Sequence, residues 1–122
     1  MNDFHTFFAA IHPIDLPENE GLLPLQIGSK IEILHAHSEG WGDADIVIIG
    51  CGEQRGHINT KLLSQAPDAI RKTLYRMFDW HDDIKVADAG NLLQGATIAD
   101  SRAALTAVLQ DLHQAGKVAI VI

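Results

Sequence analysis

One cysteine in 122 residues, no long apolar run and only 9 basic side chains set the first limits on this chain. A lone Cys51 cannot close an internal disulfide, so a reducing cytoplasm is the expected compartment. No stretch approaches the roughly 20 apolar residues of a membrane span. The start, Met1-Asn2-Asp3-Phe4-His5, has neither the basic head nor the apolar core of a signal peptide. With 16 acidic residues against those 9 basic ones the formal net charge is −7, and a basic footprint for nucleic acid or an anionic membrane is missing. Neutral or cationic small molecules and other proteins remain as partners.

Metal-ligand spacings are missing too. There is no His-Glu-x-x-His, Cys-x-x-Cys or Asp-x-His-x-Asp among the 7 histidines. His35 and His37 would share one face of a strand, and His81-Asp82-Asp83 reads as a solvated turn after a helix. His113 falls in the last turn of a helix, where a cation complements the dipole. His5, His12 and His57 have no partner at ligand spacing.

What the chain does have is an alternation of apolar runs and helical periods. Residues 1–43 read as an amino-terminal arm with a first strand region, and 44–122 as an α/β half-domain, together one structural domain. Phe4, Phe7, Phe8 and Ile11 have helical spacing that Pro13 would stop. Pro17 and Pro24 mark an extended arm laid along a surface, and Ile31 to Leu34 form a short strand. Ala44 to Gly50 is the strongest strand, β-branched and closed by glycine. A helix starts near Pro67, with Ile70, Leu74, Met77 and Phe78 on one face and Arg71, Lys72 and Arg76 on a solvated or interface side. A strand from Ile84 ends at Asp88-Ala89-Gly90, where Asp and Asn91 suit turn chemistry.

Thr97 to Asp100 has the form of a capping box, and Ala104, Leu105, Val108, Leu109 and Leu112 give the helix after it an apolar face that Gly116 closes. Val118 to Ile122 then reads as a strand covered on both faces. The order strand, helix, strand, helix, strand predicts a parallel sheet with right-handed crossovers. In such sheets the ligand site lies on the loops after the strands. The chain stops where the loop after Ile122 would begin, so it is expected to be the front portion of a larger α/β protein, incomplete at the carboxyl end.

The loop Gly50-Cys51-Gly52-Glu53-Gln54-Arg55-Gly56 is the obvious place to look for chemistry. As a dinucleotide-binding turn it fails, because its third glycine is one residue late and the helix begins well past the glycines. Cys51 sits where a nucleophile could be presented, with Glu53 and His57 as the nearest bases; a small thiol packed under the loop is the plainer reading.

Taken together, the strand ending at Gly50, the loop through Gly56, Gln65-Ala66-Pro67-Asp68-Ala69-Ile70-Arg71, Asp88-Ala89-Gly90 and the helix leading into Val118 to Ile122 resemble the amino-terminal part of the ureohydrolases, the arginase, agmatinase and formimidoylglutamase superfamily. The formimidoylglutamase branch is the most similar, through Glu53 and the long amino-terminal arm. The resemblance implies an arginase-like three-layer αβα fold. It also implies a parent enzyme that hydrolyses a guanidino or formimino C–N bond of a small amidine with two manganese ions, and that forms homo-oligomers. The family's ligand motifs are Gly-Gly-x-His directly after the strand matching Val118 to Ile122, then Asp-x-His-x-Asp, then Asp-x-Asp. None occurs here, so this chain alone is expected to hold no metal, to have no catalytic residue and to be inactive. Cys51, Glu53, Arg55, His57 and Asn59 fall in a loop that resembles the family's substrate mouth, although its usual Pro-Phe-Asp or Pro-Glu-Asp pattern is absent and Ala66 replaces a glycine before the helix proline. The competing expectation is a complete small α/β binding or interaction module.

Overall fold

A computed structural model describes residues 4–11, 21–35, 38, 40–78 and 83–122 of the chain. The expectations placed on His12, Pro13, Pro17, His37, His81 and Asp82 lie outside the described residues, as does the side chain of His5.

The chain is an α/β protein, and its described residues form a mixed sheet of five strands together with three α-helices. A 3₁₀ turn at Phe4–Phe7 leads into β1 (Phe8–Ala9), so the helical spacing of the phenylalanines yields one turn and then a strand. There follow α1 (Ile27–Lys30), β2 (Glu32–Ile33), β3 (Ile46–Gly50), α2 (Ala66–Leu74), β4 (Val86–Leu92), α3 (Ile98–Gln114) and β5 (Val118–Val121).

β3 lies between β4 and β5 and runs parallel to both. The connection from β3 to β4 goes to one neighbour, and the connection from β4 to β5 passes over β3 to the other. The carboxyl end of β3 is thus a point where the strand order reverses. The far edge of β4 is shared by two short strands. β2 pairs with it in parallel at Ala87 and Asp88, and β1 pairs antiparallel at Asn91 and Leu92. That antiparallel strand makes the sheet mixed, which corrects the expectation of a wholly parallel one. It also carries β4 on to Leu92, past the turn expected at Gly90. Gly90 permits this with φ +91°, and a Cβ there would strike the carbonyl oxygen of Ala9.

Burial follows the two-residue period of the strands. Val47, Ile49, Ala87 and Ala89 join Val108 and Leu112 of α3 in the main core, with Phe8, Leu34, Trp41, Ala44 and Leu92. The alanines of β4 leave room for α3 to approach, and each fully buried Val or Leu contributes about 1.5–3 kcal/mol. Trp41 binds distant parts of this core together. Its ring meets Phe8 edge to face at 6.3 Å, and its Nε1 donates to Asp111 of α3 at 2.7 Å. α3 begins as its sequence expects: the Thr97 hydroxyl accepts from the Asp100 amide and the Asp100 carboxylate accepts from the Thr97 amide.

The positions of opposite parity meet α2 in another way. Arg71 and Asp88 are both fully buried there, and Tyr75 is 1% exposed. The face bearing Ile70, Met77 and Phe78, which are 44–54% exposed, points outward. The expected solvated basic side of this helix is therefore corrected for Arg71, which is its most deeply buried charge. α1 closes the carboxyl end of α2, with the amides of Ile27 and Gly28 donating to the carbonyls of Met77 and Tyr75 at 2.8 Å each.

Candidate functional site

The loop from Cys51 to Gln65 leaves the carboxyl end of β3 beside the end of β5, where the Cys51 amide donates to the Ile122 carbonyl at 2.7 Å. This is the sheet end at which open α/β folds bind ligands. The glycines of the loop serve close packing. A Cβ on Gly50 would strike the side-chain oxygen of Asn91, and one on Gly52 would lie 2.7 Å from the carbonyl of Ser64. Neither glycine opens a helix, since α2 starts at Ala66.

Of the five loop residues singled out, two are joined. Arg55 Nε lies 3.0 Å from each carboxylate oxygen of Glu53, and its Nη2 donates to the Gly95 carbonyl at 2.8 Å. Arg55 Nη1 donates to the Ala96 carbonyl at 3.1 Å, while Ser101 accepts from the Gly95 amide at 2.9 Å. The pair thus latches the loop to the segment that starts α3. The hydrogen bond from Arg55, ahead of its charge, holds the Glu53 carboxyl well below the usual carboxylate range, at about 2. Glu53 is consequently an anion committed to Arg55 and a poor general base near neutral pH.

Cys51 is half-buried and packs against the α3-side core. His57 and Asn59 are exposed on the loop, and the His57 amide donates to the Gln54 carbonyl at 2.9 Å. Among the described residues, no side-chain hydrogen bond links Cys51, His57 and Asn59 with one another. Among the described residues no three His, Cys, Asp or Glu side chains converge as metal ligands would.

The densest polar cluster among the described residues lies where the sequence predicts a turn and a solvated or interface helix face. Arg71 meets Asp88 with two bonds, Nε to Oδ2 at 2.7 Å and Nη2 to Oδ1 at 2.9 Å. Its remaining protons go to the Gly90 carbonyl at 3.0 Å, to Asp68 at 3.1 Å and to Asn91. Asp88 also accepts from the Tyr75 hydroxyl at 2.7 Å and the Gly90 amide at 2.9 Å. Burial works against the Arg71 charge, but the bonds and charge of Asp88 outweigh it and raise its pKa further. Burial, reinforced by the Asp88 charge, pushes the Tyr75 phenol well above its usual range. Every donor of the Arg71 guanidinium is used, and the cluster holds α2 to β4. The signal for it was a charged residue in mid-strand, together with Arg71 and Tyr75 one helical turn apart.

At the opposite end of the sheet, a cleft of about 290 Å³ is lined by Ile27, Ile31, Ile84 and Val86 and by Lys30, Glu32, Asp43 and Lys85, two charges of each sign. It lies away from the strand ends that carry the loop. No helix among the described residues is long and apolar enough to cross a membrane. Comparison with known protein families, with curated proteins and with solved structures found nothing that matches this chain.

Proposed function

We propose that this chain forms the amino-terminal scaffold of a ureohydrolase-like enzyme, of formimidoylglutamase or agmatinase type, that hydrolyses a guanidino or formimino C–N bond. One observation carries the reading. Two of the segments that resemble the family, Pro67 to Arg71 and Asp88 to Gly90, are joined by the buried Arg71–Asp88 pair. The β4-β3-β5 strand order is compatible with an arginase-like sheet, with α2 and α3 meeting strand positions of opposite parity as a three-layer fold requires. In this reading the chain's own part is structural: it carries the Cys51 to Thr60 loop to the sheet end where substrate would enter, and Glu53 and Arg55 hold that loop in place. The two manganese ions of the parent would be held by residues outside this set, and the substrate would be a small linear amidine.

The 122-residue chain is expected to show no turnover of agmatine, arginine or formiminoglutamate with added manganese. Turnover would overturn the assignment of a purely structural role. A natural reading frame that runs on from Ile122 into Gly-Gly-x-His supports the parent enzyme, and a stop codon at that point overturns it. The exposed apolar side chains Ile70 of α2 and Met77 and Phe78 just after it favour the second reading, a small α/β interaction module without catalysis.

A further inference from the structure

The loop after β3 is closed on itself and held to the rest of the molecule at one place. Its two ends meet where the Ser64 amide donates to the Gly52 carbonyl at 2.7 Å, and Gln54 Nε2 ties its interior by donating to the Leu62 carbonyl at 2.9 Å. Within it the amides of His57 and Ile58 both donate to the Gln54 carbonyl, and the Leu62 amide donates to the Thr60 hydroxyl. A surface loop with adjoining ends and bonds of its own is an Ω-loop, and such loops are frequently functional. Ser64 belongs to the body beyond it, since its hydroxyl accepts from the Ala66 amide at the start of α2. Among the described residues, the hydrogen bonds that leave residues 53–63 run only through the Glu53–Arg55 pair, to Gly95, Ala96 and Ser101. Apolar burial adds little hold, because Ile58 and Leu62 are 46% and 74% exposed.

We propose that residues 53–63 move as one lid, hinged at Gly52 and Ser64, and that the Arg55 fork on the Gly95 and Ala96 carbonyls is the catch that holds it shut across the carboxyl ends of β3 and β4. The partners of Arg55 suit it to release. Its carboxylate, Glu53, lies on the lid itself, so the ion pair travels with the loop and opening strands no charge. What breaks are bonds to two backbone carbonyls at half-buried Gly95 and exposed Ala96, where water can take the place of the guanidinium. Gly52 and Ser64 stand close to the end of β3 and the start of α2, and hinges are commonly such loop or element-terminal residues. The lid spans the end of the sheet at which open α/β folds bind ligands. It would serve any ligand bound there, whether or not that ligand is an amidine.

Paired spin labels test the lid. In a Cys51→Ser background, labels at Asn59→Cys on the loop and Ala103→Cys on α3, both exposed positions, are expected to give one main separation. Adding Arg55→Ala is expected to raise the population of a second, longer separation about tenfold or more, as the bonds of a charged donor are lost. Hydrogen exchange is expected to show the amides of Ile58 and Ser64 still protected in that variant, because a rigid lid keeps its internal bonds when it opens. Arg55→Lys, which keeps the charge beside Glu53 and gives up the fork, serves should the alanine variant fail to fold, and is expected to shift the populations the same way. Unchanged separations in these variants overturn the proposal, since the catch would lie elsewhere. So does a broad spread of separations with protection lost at Ile58 and Ser64, which would mean that the loop melts instead of swinging.

Discussion

The two long helices of this chain bury opposite kinds of side chain. α3 turns Val108 and Leu112 into the core and leaves its charges outside, so its burial matches its hydropathy. α2 buries Arg71 and Pro67 and leaves Ile70 about half exposed. Both are amphipathic, yet periodicity locates the inward face of only one. The difference lies in the strand beneath. β3 and β4 offer α3 Val47, Ile49, Ala87 and Ala89, while β4 offers α2 the carboxylate of Asp88. A buried carboxylate needs a compensating cation and several donors, and that requirement outweighs the gain from burying two or three apolar side chains.

The sharpest way to break the contrast is Arg71→Ala. It leaves Asp88 buried without its cation and is expected to cost about 3–5 kcal/mol in urea unfolding. Replacing the pair together with well-packed apolar residues is expected to restore most of that loss. A single variant as harmless as the double would show that Asp88 is solvated. On the other face, Leu112→Ala should cost about 2–5 kcal/mol, by lost transfer energy and the cavity left behind. Thr97→Ala, which removes the α3 cap, should lower stability by about 1 kcal/mol. The smallest effect is expected at the outer face of α2, where Ile70→Gln should stay within about 0.5 kcal/mol by the same measurement. A larger loss there would mean that the face is covered in solution.

Much of the architecture was legible because it rests on local signals. The β-branched run at Ile46 to Ile49, the capping box at Thr97 and Asp100 and the apolar face of α3 each announce their element without outside information. β1 was not legible. Two residues, Phe8 and Ala9, carry no strand period of their own, and their pairing depends on Gly90 far along the chain. The inward turn of Arg71 was hidden for a related reason, since its partner Asp88 lies 17 residues away on another element. In the candidate loop, Glu53 and Arg55 stand close enough in sequence for their pairing to be read. The carbonyls of Gly95 and Ala96 that complete the latch do not, because backbone groups leave no trace in composition.

The pairing of Phe8 with Leu92 has a consequence for the order of folding. Its residues stand 84 positions apart (92 − 8), so closing that loop has to wait for β4 to exist as a template. During synthesis the amino-terminal segment is made first and can dock only after the strand at residues 86–92 has emerged. Until then both Phe8 and the ring of Trp41 that it meets lack their final packing. The chain has two tryptophans, so in a Trp80→Phe background the emission of Trp41 should accordingly report the last step of assembly, later than the signal from α3.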